Sequence, residues 1–260
     1  MRWLRRLFHR PPLLHVAVDR GDGSIVVLLH GIASSWVTFE NVIPLIEGRH
    51  RVIAIDLLGF GASPVPPDAD YSVREHVAAV ERTLRQLRVR SEFVLVGHSM
   101  GALISTRYAA THPGRLSKLV LVSPPIYLSP TEIGNDRDRA AMGLYFKIYE
   151  FLRGNKDFTI RTAAQLARMS PIGGLLDVSE RNWRAFVLSL ERSIESQTTL
   201  SDLAAVEVPV DLIYGTLDPF IAPVGIQIAE RFRNVTVHRI TGADHAIRPK
   251  VARVVATAVG

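Results

Sequence analysis

The 260-residue sequence contains no cysteine, which excludes disulfides, thiolate metal sites and a cysteine nucleophile together. That absence suits the cytoplasm, and a cytoplasmic location is the expectation. No apolar run is long enough to cross a bilayer. Metal-ligand spacings are missing as well: the nine histidines are dispersed, with none in an H-x-x-x-H or H-E-x-x-H arrangement. A Walker phosphate loop and a G-x-G-x-x-G fingerprint are also absent, since Gly59-Phe60-Gly61 lacks a third glycine and does not open directly into a helix. Neither a metal nor a cofactor is expected.

With 47% hydrophobic and 22% charged residues the chain is globular in composition, and its length permits one large α/β domain with an insertion. The net charge is +6, carried mostly by arginines scattered through helical stretches without interleaved aromatics. A solvated surface is expected from that pattern, and nucleic acid is not. The N-terminus differs: Trp3, Leu4, Leu7 and Phe8 stand at helical spacing opposite Arg2, Arg5, Arg6 and Arg10. Such a segment suits an anionic membrane surface, and equally a short helix packed on the body or a frayed end. Its apolar part is too short for a secretory signal, and Pro11-Pro12 ends it without a cleavage-like site.

Short apolar, β-branched runs recur at 14–18, 25–30, 51–56, 93–96, 118–122, 210–214 and 235–240. Runs without polar alternation, such as 25–30, predict strands buried on both faces. Helical patterns separate most of them. One lies near 39–46; a long one starts at Ser72, with Val73, Val77, Val80, Leu84 and Leu87 on one stripe; others cover 102–110, 222–232 and 249–259. A mostly parallel sheet flanked by helices follows. The interval 126–199 breaks the rhythm, with helical patterns at 138–152, 158–169 and 179–197 and no convincing strand. It reads as a helical cap between two core strands, over the C-terminal strand ends where open α/β sheets bind ligands. Residues 1–125 and 200–260 then form the core domain.

The chemistry concentrates at Gly97-His98-Ser99-Met100-Gly101, which fits G-x-S-x-G between an apolar strand and a small-residue helix. Glycine at both flanks removes Cβ atoms that a sharp strand-to-helix turn would drive into its neighbours. Ser99 at the apex is the candidate nucleophile, and the Met100 N–H at the helix start is a candidate oxyanion donor. A serine hydroxyl needs a base, and the base needs an orienting group. Asp218, in Tyr214-Gly215-Thr216-Leu217-Asp218-Pro219, and His245, in Thr241-Gly242-Ala243-Asp244-His245, each follow a predicted strand. The plain alternatives are a turn or helix cap for Asp218 and a surface histidine for His245. The order Ser99, Asp218, His245 is the one this fold demands. Asp244, the immediate neighbour of His245, is poorly placed as the acid and reads as a loop residue. The second oxyanion donor is expected from Ile32, after Gly31, with His30 bracing the loop and His98 packing beside the elbow. Asp56 and Ser63 read as loop-bracing groups too.

On His30-Gly31, the segment Asp56 to Ser63, Gly97-His98-Ser99-Met100-Gly101, Tyr214-Gly215-x-x-Asp218-Pro219 and Gly242-x-x-His245, the chain resembles the α/β-hydrolase superfamily along nearly its whole length. The serine nucleophile sets it apart from the similar haloalkane dehalogenases and epoxide hydrolases, which use aspartate. Carbon–carbon bond hydrolases of aromatic breakdown usually show Asn before the serine and Gly-Pro-Gly in the oxyanion loop, where this chain has His98 and Ile32-Ala33-Ser34. It looks more like the esterase, lactonase and cofactor-free haloperoxidase group. The resemblance implies hydrolysis of a small, largely apolar ester or lactone. A carbon–carbon hydrolase and a ligand receptor that keeps an idle triad are the alternatives. Met142, Tyr145, Phe146, Tyr149, Phe151, Trp183 and Phe186 are the pocket candidates offered by the cap.

Overall fold

Aliphatic, β-branched runs with no polar alternation build the centre of the molecule, because a strand covered on both faces must be apolar on both. The computed structural model describes residues 10–128, 136–169 and 176–260. Residues 1–9 of the amphipathic N-terminal segment lie outside them, as do 129–135 and 170–175 of the interval 126–199. Seven strands, β1 (Val16–Arg20), β2 (Ser24–Leu29), β3 (His50–Ile55), β4 (Phe93–His98), β5 (Leu116–Val122), β6 (Val210–Gly215) and β7 (Val235–Ile240), pair in the order β1-β3-β2-β4-β5-β6-β7. β1 runs antiparallel to β3, and every other pairing is parallel.

Period-two alternation divides the core into two layers. Val27, Leu29, Ile53, Leu95 and Leu121 join one cluster with residues of α2 (Val73–Gln86), α3 (Met100–Thr111) and α8 (Pro223–Ala229). Val26, Leu28, Val52, Val96 and Val120 face the other cluster, under α1 (Ile43–Ile46) and α9 (Pro249–Val259). α2 begins where the Ser72 hydroxyl accepts the Glu75 N–H, while the Glu75 carboxylate takes the Asp70 and Tyr71 N–H groups at 2.7 Å.

Between β5 and β6 the described chain is helical. It comprises α4 (Asp136–Gly154), α5 (Lys156–Met169), α6 (Trp183–Ser189), which continues as one π-helical turn over Leu190–Glu195, and α7 (Thr199–Ala204). α6 and its approach are held to the loop after β3. Arg181 donates to the Gly61 and Ser63 carbonyls at 2.8 and 3.0 Å, Arg184 to Ala69 at 2.6 Å, and the Ser193 hydroxyl to Tyr71 at 2.9 Å.

Three of the differences from the sequence expectation have a local physical cause. The first strand lies two residues further on, because an edge strand tolerates Asp19 and Arg20; Arg51 on β3 pairs with Asp19 through two bonds of 2.7 Å. The expected helix over 39–46 divides into a 3-10 turn, Trp36–Phe39, and the short α1. The one over 179–197 starts only at Trp183, since Asn182 Oδ1 accepts the Ser179 N–H at 2.7 Å and turns the chain first.

Glycines at the strand-to-helix turn let backbone come close to backbone. A Cβ on Gly101 would lie 2.2 Å from the Leu29 carbonyl oxygen and 2.4 Å from that of His30, and one on Gly97 would lie 2.4 Å from the Gly101 oxygen. Backbone cannot yield there as a side chain can. Gly101→Ala is therefore expected to destabilise by about 2 kcal/mol or more in chemical denaturation. Gly143→Ala, on α4 where a Cβ would meet nothing within 4 Å, is expected to stabilise by about 0.5–1 kcal/mol.

Candidate active site

β4 ends at His98, and the next residue carries the bend. Ser99 has φ 53° and ψ −122°, a left-handed geometry that costs a non-glycine residue about 1–3 kcal/mol and is held only by its surroundings. Those surroundings are backbone: the Ser99 N–H donates to Val122 at 2.9 Å, and its carbonyl accepts the Ala102 N–H at 2.9 Å. Met100 opens α3, so its N–H has no partner within the helix.

The loop after β2 crosses directly over the serine. A Cβ on Gly31 would sit 2.9 Å from Ser99 Cβ and 3.4 Å from its Oγ, so only glycine lets the chain pass this close. His30 holds that loop from below: its Nε2 accepts the Leu57 N–H at 2.8 Å, and its Nδ1–H therefore donates to the Gly31 carbonyl at 2.7 Å. Burial drives the His30 pKa down to about 4 despite the nearby Asp56 carboxylate, so the ring is neutral at pH 7. Among the described residues neither the Ile32 nor the Met100 N–H has a hydrogen-bond acceptor. Asp56 and Ser63 brace their loop as expected. The Asp56 carboxylate accepts the Trp36 and Ala62 N–H groups, each at 2.9 Å, and the Ser63 hydroxyl donates to the Asp56 carbonyl at 2.6 Å.

The loops after β6 and β7 are laced together by backbone. Thr216 N–H donates to Ile240, Leu217 N–H donates to Ala243, and the Gly242 N–H donates to the Thr216 hydroxyl, all at 2.9–3.0 Å. A Cβ on Gly215 would stand 2.2 Å from the Ala243 oxygen, so this lacing requires glycine at the end of β6. Its product is the pairing of Asp218 with His245: the imidazole Nδ1–H donates to the two carboxylate oxygens at 2.9 and 2.8 Å. Asp218 is buried, which by itself raises a carboxyl pKa. The hydrogen bond and charge of His245, the Phe220 N–H at 2.9 Å and the Ser123 hydroxyl outweigh that cost and hold it below the ordinary carboxylate value. With its proton fixed on Nδ1, the neutral imidazole carries its lone pair on Nε2.

His245 is tied to His98, the residue before Ser99. The His98 and His245 rings lie with centroids 4.9 Å apart, and His98 Nε2–H donates to the His245 carbonyl at 2.8 Å. Among the described residues the Ser99 hydroxyl itself forms no hydrogen bond, and such bonds often tighten only when substrate binds. Asp244 turns away, as read from its position: its carboxylate pairs with Arg248 at 2.8 Å and accepts the Ala246 N–H at 3.2 Å. No group of three or more metal-binding side chains occurs among the described residues.

Sequence reasoning missed two neighbours of the acid. Ser123 follows β5 with φ 49°, and nothing in Ser123-Pro124-Pro125 signals that its hydroxyl reaches Asp218. Phe220 sets its ring edge-on to His245 with centroids 4.7 Å apart. The tyrosines of α4 secure this loop, since Tyr145 donates to the Pro219 carbonyl at 2.6 Å, and Tyr149 joins Tyr127, which donates to Phe220, hydroxyl to hydroxyl at 2.8 Å. Burial pushes the Tyr127 and Tyr149 hydroxyls well above the ordinary tyrosine value, so both stay protonated donors. Phe151, one of the pocket candidates, is 51% exposed and packs on Phe158.

The sequence pattern of the alpha/beta hydrolase fold family matches residues 24–247. The pimeloyl-[acyl-carrier protein] methyl ester esterase of Aeromonas hydrophila is 27% identical over 255 residues, covering 91% of this chain and 96% of that protein. The probable lysophospholipase BODYGUARD 1 of Arabidopsis thaliana is 39% identical over 111 residues, but the match spans 40% of this chain and 24% of that protein's length. An esterase from Exiguobacterium antarcticum superposes with a TM-score of 0.75 at 19% identity, over 95% of each chain, which is a likeness of fold. With its seven-stranded, mostly parallel sheet and the glycine-flanked serine at the end of β4, the chain belongs to the α/β-hydrolase fold family.

Proposed function

We propose that this hydrolase cleaves a carboxylic ester or lactone of a small, largely apolar substrate through an acyl-enzyme on Ser99. The observation that carries the reading is the buried Asp218 carboxylate paired with His245 Nδ1 at 2.8 Å, on a loop bonded to the residue next to a strained serine. Ser99 Oγ attacks the carbonyl carbon while His245 Nε2 accepts the hydroxyl proton. Charge develops on the former carbonyl oxygen, where the Ile32 and Met100 N–H groups donate; one such donor contributes about 3–4 kcal/mol. His245 passes its proton to the departing alcohol, then takes one from water, whose oxygen attacks the acyl carbon, and returns it to Ser99 Oγ as the acyl–oxygen bond breaks. Asp218 stays ionised throughout and keeps the imidazole in the reactive tautomer.

Residues 126–199 act as the cap in this reading, with 1–125 and 200–260 as the core. Its support is the absence of any strand among the described residues of that interval, together with the α4 tyrosines on the Pro219 and Phe220 carbonyls. The esterase of Aeromonas hydrophila, similar over nearly the full chain, favours the ester reading.

Ser99→Ala is expected to lower turnover of short p-nitrophenyl esters by about 10⁴-fold or more while the fold is kept. Turnover undiminished in that variant contradicts the assignment of the nucleophile, and a wild type that cleaves vinylogous diketones far faster than esters redirects the reading to carbon–carbon hydrolysis. Asp218→Asn is expected to lower kcat about 10²–10⁴-fold by releasing the tautomer. The depressed Asp218 pKa also makes a stability prediction. Its contribution is complete above the unfolded value of about 4 and is lost as pH falls through the lower folded value. Denaturation of wild type and Asp218→Asn across pH 2–7 should show a stability gap that closes only at the acid end.

A further inference from the structure

His98 is placed where the elbow, the oxyanion loop and the base loop come together. Alternation along β4 puts it on the face of Val94 and Val96, at the last position of the strand, paired in register with Val122 of β5. Its Nε2 faces a carbonyl, that of His245, and must therefore bear the proton. Its Nδ1 then holds a lone pair; it is buried and has no hydrogen-bond partner. That nitrogen lies 3.2 Å from the point a Cβ on Gly31 would occupy, so it rests against the Gly31 Cα–H. Burial drives the His98 pKa down to about 3, and the neighbouring His245 adds to the shift; the Asp218 carboxylate opposes it without restoring it. A charged ring would aim a second N–H at Gly31, where no acceptor waits.

We propose that His98 is a positioning residue for the base: one neutral imidazole, rooted beside Ser99, spans from the Gly31 loop to the His245 carbonyl and holds both loops at a set distance from the nucleophile. The Asp218 bond orients the His245 ring but acts only on Nδ1, and the lacing of the two loops reaches no nearer than Ala243. Among the described residues the His98 bond is the one that ties the His245 backbone to β4 itself. Displacement of a catalytic group by about 1 Å costs on the order of 10²-fold in rate, so loss of this tie should appear in kcat and hardly in KM.

The inference rests on the acyl-transfer reading for its rate measurement and is independent of it for its spectroscopic one. His98→Gln carries an amide N–H to the place of Nε2, whereas His98→Asn reaches only the place of Nδ1. The Asn variant is expected to lose about 10-fold to 100-fold in kcat on p-nitrophenyl esters, with KM changed by less than about 3-fold. It should also weaken or lose the far-downfield proton resonance of the His245 Nδ1–H to Asp218 bond. The Gln variant should keep that resonance and stay within about 3-fold of wild-type kcat. An Asn variant with wild-type kcat and an intact resonance overturns the proposal, as do Gln and Asn variants impaired alike, which would mean that packing alone matters. If the wild type cleaves no ester, the acyl-transfer reading falls, and the resonance in the Asn variant decides the role of His98 by itself.

Discussion

The structure depends on how closely backbone approaches backbone around Ser99. Gly101 lets α3 press against the Leu29 and His30 carbonyls, Gly97 lets β4 meet the first turn of that helix, and Gly31 lets the loop after β2 cross over the serine. No Cβ fits at any of these points. The left-handed Ser99 persists because the sheet and helix on either side leave it no alternative. The packed layers of Val27, Leu29, Leu95 and Leu121 below supply the burial that offsets this strain.

Electrostatics around the elbow follow from burial. His30 and His98 are enclosed and therefore neutral, so each is available as a donor and an acceptor in fixed tautomers. Asp218 is also enclosed, yet it stays ionised because His245, the Phe220 N–H and Ser123 all stabilise the anion. In the proposed mechanism the Asp218 carboxylate stabilises the imidazolium that forms when a proton leaves the serine. The two histidines that flank the site, on β4 and in the loop after β2, hold loops in place and do not compete for that proton.

Much of this was legible in the residues themselves. Strand 25–30 stands out because burial on both faces leaves an unbroken apolar run, and the helix 249–259 because burial of one stripe leaves a periodic trace. The elbow is legible because its glycines answer a steric demand, and Asp218 and His245 because each polar group follows an apolar strand. The bracing role of His30 follows from its place beside Gly31. What was not legible depends on contacts between distant segments. Ser123 looks like the end of a strand until its backbone angles aim it at Asp218, and no local pattern reveals that His98 donates to a carbonyl 147 residues away. The π-helical turn over Leu190–Glu195 and the early stop at Ala229 belong to the same class, since packing overrides propensity at helix ends.

In the proposed reaction Ser99 Oγ forms the covalent bond and His245 is its base. Reaction of the purified protein with a fluorophosphonate, followed by intact mass and peptide mapping, tests it most directly. One adduct per chain is expected, on Ser99, formed rapidly in the wild type and far more slowly when His245 is replaced by alanine. An adduct on another residue, or a wild type that turns over esters yet never becomes labelled at Ser99, would contradict it.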